Sequence, residues 1–245
     1  MSQIGRILTG CSDALLVGPA VTSMIIQNTN PMVVAPEHNL VRRGFERNDL
    51  FVCVHEQFMT ETAKYADIIL PATTQFEHWE LMPSWGHTYV SLNPPAIEPI
   101  GEALSNTDLF RMLSKAMGFK EPYLLSSDEE RIKQILDTKS EFVSHISFES
   151  LLKTGWAKLS LPNDWRPRAE GNFSTPSGKC EFYSETLEKA GYDPLPTYVP
   201  IARNESDKEY PLHLVSAKTS HFLNSEYVNL PHKGTQKHFP QMQIN

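Results

Sequence analysis

The stretch from Asn48 to Glu77, NDLFVCVHEQFMTETAKYADIILPATTQFE, constrains the fold more than any other. Leu50 to Val54 is an unbroken apolar run, and Ile68 to Leu70 begins a second that Pro71 closes. Apolar runs without alternation suit strands covered on both faces, as in a parallel sheet. Between them lie His55, Glu56, Gln57, Thr60, Glu61 and Thr62. Polar residues past a strand's carboxyl end are where open α/β sheets bind ligands. Upstream, Met24 to Ile26 is a third short run, leading into Gln27, Asn28, Thr29, Asn30 and Pro31. On composition that polar segment is a strand-to-helix turn. Pro36 to Arg47 reads as a helix with Leu40, Val41 and Phe45 inward, and Thr60 to Tyr65 as a shorter one. The order β, α, β, α, β predicts a three-stranded parallel sheet. Asp67, directly before the third strand, is placed to anchor a turn.

The flanking segments are weaker. Ile4, Ile7 and Leu8 give residues 1–20 slight helical character. His87 to Leu92 alternates, which predicts a strand in a hairpin. Ser105 to Met117 is expected to be a helix with Leu109, Met112, Leu113 and Met117 inward, Ser105 or Asn106 as N-cap, and Gly118 as the stop. Two further helices are expected near Ser127–Leu136 and Ser147–Thr154. Pro and Gly crowd the span from Pro162 to Gly178, so a boundary falls near Leu161. Lys179–Tyr183 and Pro211–Ser216 read as strands beyond it.

Several function classes drop out. A net charge of −7 argues against a nucleic-acid partner. No apolar run reaches the length of a membrane span, and Asp13 with Gly18-Pro19 breaks up any signal-peptide pattern at the N-terminus. Cys11, Cys53 and Cys180 are too far apart for zinc or iron–sulfur spacing, and so few cysteines fit a reducing, cytoplasmic setting. Ser177-Gly178-Lys179-Cys180 fails as a phosphate loop, and neither GxGxxG nor GxSxG occurs. The histidines show no metal-binding spacing, but Glu77-His78 and His55-Glu56 follow strands on the same sheet edge.

Four segments together, NTNPM (28–32), FVCVHEQFMTETAKYADIILPATTQFEH (51–78), SGKCEFYS (177–184) and PLHLVSAKTSHFLNSE (211–226), resemble the C-terminal half of molybdopterin oxidoreductases of the dimethyl-sulfoxide-reductase and formate-dehydrogenase type. The resemblance implies an α/β fold. Residues 1–165 would be a partial Rossmann-like dinucleotide-binding domain, and 166–245 the start of a β-barrel domain that grips the pterin. It implies a cofactor, molybdenum or tungsten bis(molybdopterin guanine dinucleotide), that carries out two-electron chemistry such as formate oxidation or oxygen-atom transfer. Any iron–sulfur cluster would belong to the N-terminal half. By position, Asn30, His55, Glu56, His78 and Asn106 would face the nucleotide. Ser216, Lys218, Thr219, Ser220 and Ser225 would wrap the pterin and phosphates. An acid at Glu56 suits guanine, whose N1–H and amino group are donors. No catalytic residue or metal ligand is expected in this chain, which reads as a fragment, inert alone, whose partner is the rest of the enzyme. Enzymes of this type include some exported through an N-terminal signal. The alternative is a standalone module that binds the guanine dinucleotide or assists assembly without catalysis.

Overall fold

The computed structural model describes residues 3–10, 18–198, 212, 215, 223–227 and 229. Three short helices, α1 (Ile4–Leu8), α2 (Pro31–Val34) and α3 (His38–Phe45), accompany a parallel sheet of β1 (Ser23–Gln27), β2 (Phe51–Glu56) and β3 (Ile68–Pro71), in the order β1-β2-β3. The register sets Ile25, Cys53 and Ile68 abreast, then Gln27, His55 and Leu70, so the three carboxyl ends share one edge. This is the mixed α/β architecture the apolar runs predict. Asp67 also does what its place suggests: its carboxylate accepts from the Val52 amide at 2.7 Å and pins the start of β2.

One face of the sheet forms the first core. Ile26, Val52 and Val54 pack with Leu8, Met32, Val41, Phe45 and Ala63. Two glycines let α1 and α3 approach: a Cβ on Gly44 would lie 2.5 Å from Leu8 Cβ, and one on Gly5 would lie 2.7 Å from the Val41 amide nitrogen. Arg47 locks the pair to the strand. It donates to the carbonyls of Leu8 (2.7 Å) and Val21 (3.1 Å) while its other edge meets Asp49.

Three expectations fail here. The helix predicted from Pro36 opens only at His38, because Glu37 takes a left-handed φ of 56°. The helix predicted over 60–65 shrinks to a single 3₁₀ turn, Ala63–Tyr65. β3 is not an inner strand: it is the sheet's edge, with Ile68 46% and Ile69 40% exposed, since among the described residues β2 is its one strand neighbour.

The chain then builds an antiparallel sheet from β4 (Glu80–Pro83), β5 (Tyr89–Asn93) and, after a helical excursion, β6 (Trp156–Lys158). The excursion comprises α4 (Asn106–Ala116), α5 (Pro122–Leu125), α6 (Asp128–Leu136) and α7 (Phe148–Thr154). Each of the three longer helices is capped by a serine: Ser105, Ser127 and Ser147 accept from the amide three residues on. Val90 and Leu92 meet Ile132, Leu136, Ile146, Phe148 and Leu151 in a second core. Arg111 joins α4 to α6 through the Ser126 carbonyl (2.8 Å) and Asp128 (2.7 Å). The predicted apolar stripe of α4 turns inward only in part: Leu109 and Leu113 are half-buried. Met112 and Met117 are exposed and Ser114 is the buried residue.

Ser160–Ala217 forms a separate compact unit. Its described residues, 160–198, 212 and 215, hold one regular element, α8 (Glu185–Lys189). The strand expected at Lys179–Tyr183 is absent. Gly178 turns the chain at a φ of +67°, Glu181 folds back to accept from the Ser177 amide at 2.9 Å, and Ser184 caps α8. The strand expected at Pro211–Ser216 lies outside the described residues apart from Leu212 and Val215, both exposed.

Candidate functional site

The carboxyl edge of the parallel sheet opens into a polar crevice of about 260 Å³. Asn28, Glu56, Gln57, Ala72, Thr73, Gln75, His78, Glu80 and Asn106 line it. Asn28, Gln57 and Ala72 are the residues immediately after β1, β2 and β3. Asn28 makes its turn at a φ of 53°, a conformation asparagine tolerates better than most residues.

Local chemistry holds these groups in place. The Glu56 carboxylate accepts through Oε1 from the Gln57 amide at 2.8 Å. Gln57 Nε2 donates to the Thr73 carbonyl at 2.8 Å and so ties the loop after β2 to the loop after β3. The Thr73 hydroxyl meets His78 Nδ1 at 2.8 Å. Leu104 forms a lone parallel bridge with Ala72, and its carbonyl accepts from the Thr73 amide at 3.1 Å. That contact brings Ser105 and the first residue of α4, Asn106, to the rim.

Glu77 is the buried anchor beneath the loop. One carboxylate oxygen accepts from the Thr74 amide (2.6 Å) and hydroxyl (2.8 Å), the other from the Ile100 amide (2.8 Å). These bonds, the Thr74 amide first, hold its carboxyl below the usual range. Asn93 Nδ2 grips the same loop at the Gln75 carbonyl, at 2.6 Å.

Glu56, His78 and Asn106 therefore meet in one crevice, while two other residues predicted to face it do not. Asn30 is buried: its Oδ1 accepts from the Thr62 hydroxyl (2.7 Å) and amide (3.3 Å), and that hydroxyl in turn accepts from the Met32 amide (3.1 Å). Asn30 fixes the entry to α2. His55 is 1% exposed, and its Nε2 lies 3.2 Å from the Leu104 carbonyl. A carbonyl only accepts, so Nε2 carries the proton, and Nδ1 is left without a partner. The physical reason is alternation: His55 falls on the face opposite Glu56, and Leu104 covers that face at the sheet's end.

Ser225 is half-buried in a tight turn where the Glu226 amide donates to the Leu223 carbonyl at 2.9 Å, and it does not line the crevice. Ser216, Lys218, Thr219 and Ser220 lie outside the described residues. Sequence reasoning missed Asn28, Gln57, Thr73, Gln75 and Glu80. The available signal was position, since the first residue past each strand lines the crevice, but using it requires strand ends known to one residue.

The donor and acceptor set fits the polar end of a nucleotide. Glu56 and Glu80 accept, and the side-chain amides both donate and accept.

Comparison with known proteins agrees with this architecture. A family described as molybdopterin oxidoreductase matches residues 16–116, which hold every residue of the crevice. The chain is 44% identical over 230 residues to a probable oxidoreductase, YoaE, of Bacillus subtilis (strain 168), covering 94% of this chain and 32% of that protein. It is 35% identical over 178 residues to acetylene hydratase of Syntrophotalea acetylenica, covering 70% and 23%. The solved acetylene hydratase from Pelobacter acetylenicus superposes with a TM-score of 0.65 at 28% identity, over 85% of this chain and 28% of that one. The chain thus spans about a third or less of the length of these relatives. On these grounds residues 16–116 belong to the molybdopterin oxidoreductase family, and the chain is similar to its members of the dimethyl-sulfoxide-reductase type.

Proposed function

We propose that this chain supplies part of the cofactor grip of a molybdopterin-dependent oxidoreductase, and that its crevice takes the guanine end of the dinucleotide. The observation that carries this reading is the convergence of Glu56, His78 and Asn106 at the carboxyl edge of a parallel sheet. When bound, the metal at the pterin end supplies two-electron chemistry, such as oxygen-atom transfer or formate oxidation. The chain's own residues bind and orient. Glu56 keeps one carboxylate oxygen on the Gln57 amide and offers the other to the donors on guanine's N1 and amino group. Asn106, Asn28 and Gln75 complete the rim with groups that both donate and accept.

In this reading bond chemistry lies outside the crevice, and the chain's partner is the remaining polypeptide of a longer enzyme. Assayed by itself with substrate and a dye acceptor, the chain should show no turnover above background. A cytoplasmic location belongs to the same proposal. It is supported by Cys53 and Cys180, which are free thiols. Among the described residues no helix is long and apolar enough to cross a membrane.

Calorimetric titration with GMP and AMP tests the binding claim. Saturable binding of GMP at least ten-fold tighter than AMP is expected, since each mispaired group at the Glu56 edge costs roughly that factor. Equal affinity for the two, or none for either, would refute the assignment.

A further inference from the structure

His78 lines the crevice and touches the protein through one ring nitrogen: Nδ1 lies 2.8 Å from the Thr73 hydroxyl. Nε2 has no hydrogen-bond partner among the described residues. Thr73 is 5% exposed, and among the described residues His78 Nδ1 is the one hydrogen-bond partner of its hydroxyl. A hydroxyl has a single proton to place. If neutral His78 carried its proton on Nδ1, that nitrogen would donate to the Thr73 oxygen and leave the hydroxyl proton without a partner among the described residues. If the proton sits on Nε2, the hydroxyl donates to the bare Nδ1 and both groups are satisfied.

The geometry points to Thr73 as a positioning residue that fixes His78 as the Nε2–H tautomer, so that the crevice presents a ring N–H to an acceptor oxygen of the bound nucleotide. This rests on the nucleotide reading of the crevice. With the tautomer fixed in this way, the ligand meets a donor at this point and not an acceptor. An oxygen of a phosphate or of the base carbonyl satisfies such a donor; a ligand N–H does not.

Thr73 suits this role because its backbone is independently held. Its amide reaches the Leu104 carbonyl and its carbonyl takes the Gln57 side chain, so removing the hydroxyl leaves the loop's other ties intact. Long-range ¹H–¹⁵N spectra of the labelled chain at alkaline pH read the tautomer directly, with His78→Gln identifying the ring among the nine histidines. The expected result is a bare Nδ1 and a protonated Nε2. Thr73→Val should turn this into a mixture of tautomers and weaken GMP binding roughly ten-fold, while Thr73→Ser restores both. Guanosine separates the possible acceptors. A loss with GMP but not guanosine assigns the N–H to a phosphate oxygen, and an equal loss with both assigns it to the nucleoside. An Nδ1–H tautomer in the unmodified chain, or an unchanged ring in Thr73→Val, overturns the proposal. The expected tautomer with no nucleotide bound refutes the nucleotide reading while leaving the Thr73–His78 pairing intact.

Discussion

The two cores of residues 3–159 are built on three-stranded sheets, yet they treat polar groups in opposite ways. The loops at the carboxyl edge of the parallel sheet bury Asn30, His55, Thr60, Thr62, Thr73 and Glu77. Between residues 80 and 159 the buried polar residues described are Ser105 and Ser114, both at α4. Burying a polar group is unfavourable unless it is hydrogen-bonded, and a plain apolar core avoids the problem. The parallel edge accepts it because each of these side chains holds a loop where an apolar residue could not. Thr62 and Asn30 fix the entry to α2; His55 holds Leu104; Thr73 holds His78; Glu77 holds Ile100. The antiparallel sheet is scaffolding in the simple sense, whereas the parallel sheet is a scaffold whose rim is specified atom by atom.

The sharpest way to break this contrast is to damage one core and look for damage at the other. Leu151 is fully buried under β5, and Leu151→Ala should cost about 2–5 kcal/mol in urea denaturation. The folded protein should nevertheless keep its nucleotide affinity and its His78 ring signals. Thr62→Val alters almost no volume but takes from Asn30 Oδ1 the shorter of its two hydrogen bonds and strands the Met32 amide. It should cost about 1–3 kcal/mol and speed exchange of the Met32 amide proton.

Acid offers a gentler probe of the same edge. Glu77 is held ionised to lower pH in the folded protein than in the unfolded chain. Its contribution is complete above the unfolded value, roughly pH 4.3 for glutamate. It is lost as pH falls through the depressed folded-state value. The acid limb of a stability–pH curve should therefore be shallower for Glu77→Gln than for the unmodified protein. The smallest effect on stability should come from Glu56→Gln, within about 0.5 kcal/mol, because the amide oxygen can still accept from the Gln57 N–H. The same change should weaken GMP roughly ten-fold, since it puts an NH₂ where guanine's donors need an acceptor.

The sheet was legible in the sequence because continuous apolar runs such as Leu50–Val54 have few other uses. Serine caps and the Gly118 stop marked the helices for equally local reasons. What failed was anything that depends on which neighbour covers a surface. β3 and the methionines of α4 look like core residues by pattern, but nothing among the described residues buries them. The crevice was half legible. Glu56 and His78 could be located from the strands they follow, but the inward turn of His55 follows from a one-residue alternation. The withdrawal of Asn30 follows from Thr62, thirty-two residues away. Lys179–Tyr183 had strand-like composition, and the turn at Gly178 and the capping by Ser184 outweighed it.

The claim everything else rests on is that the carboxyl edge of the parallel sheet is where the nucleotide binds. Mapping backbone amide shifts as GMP is added to the ¹⁵N-labelled chain tests it most directly. The changes are expected to cluster at Asn28, Glu56–Gln57, Thr73–His78 and Asn106. Changes centred instead on the other sizeable hollow, lined by Ile7, Leu40, Arg43 and Arg47, would contradict it, as would a spectrum that does not respond.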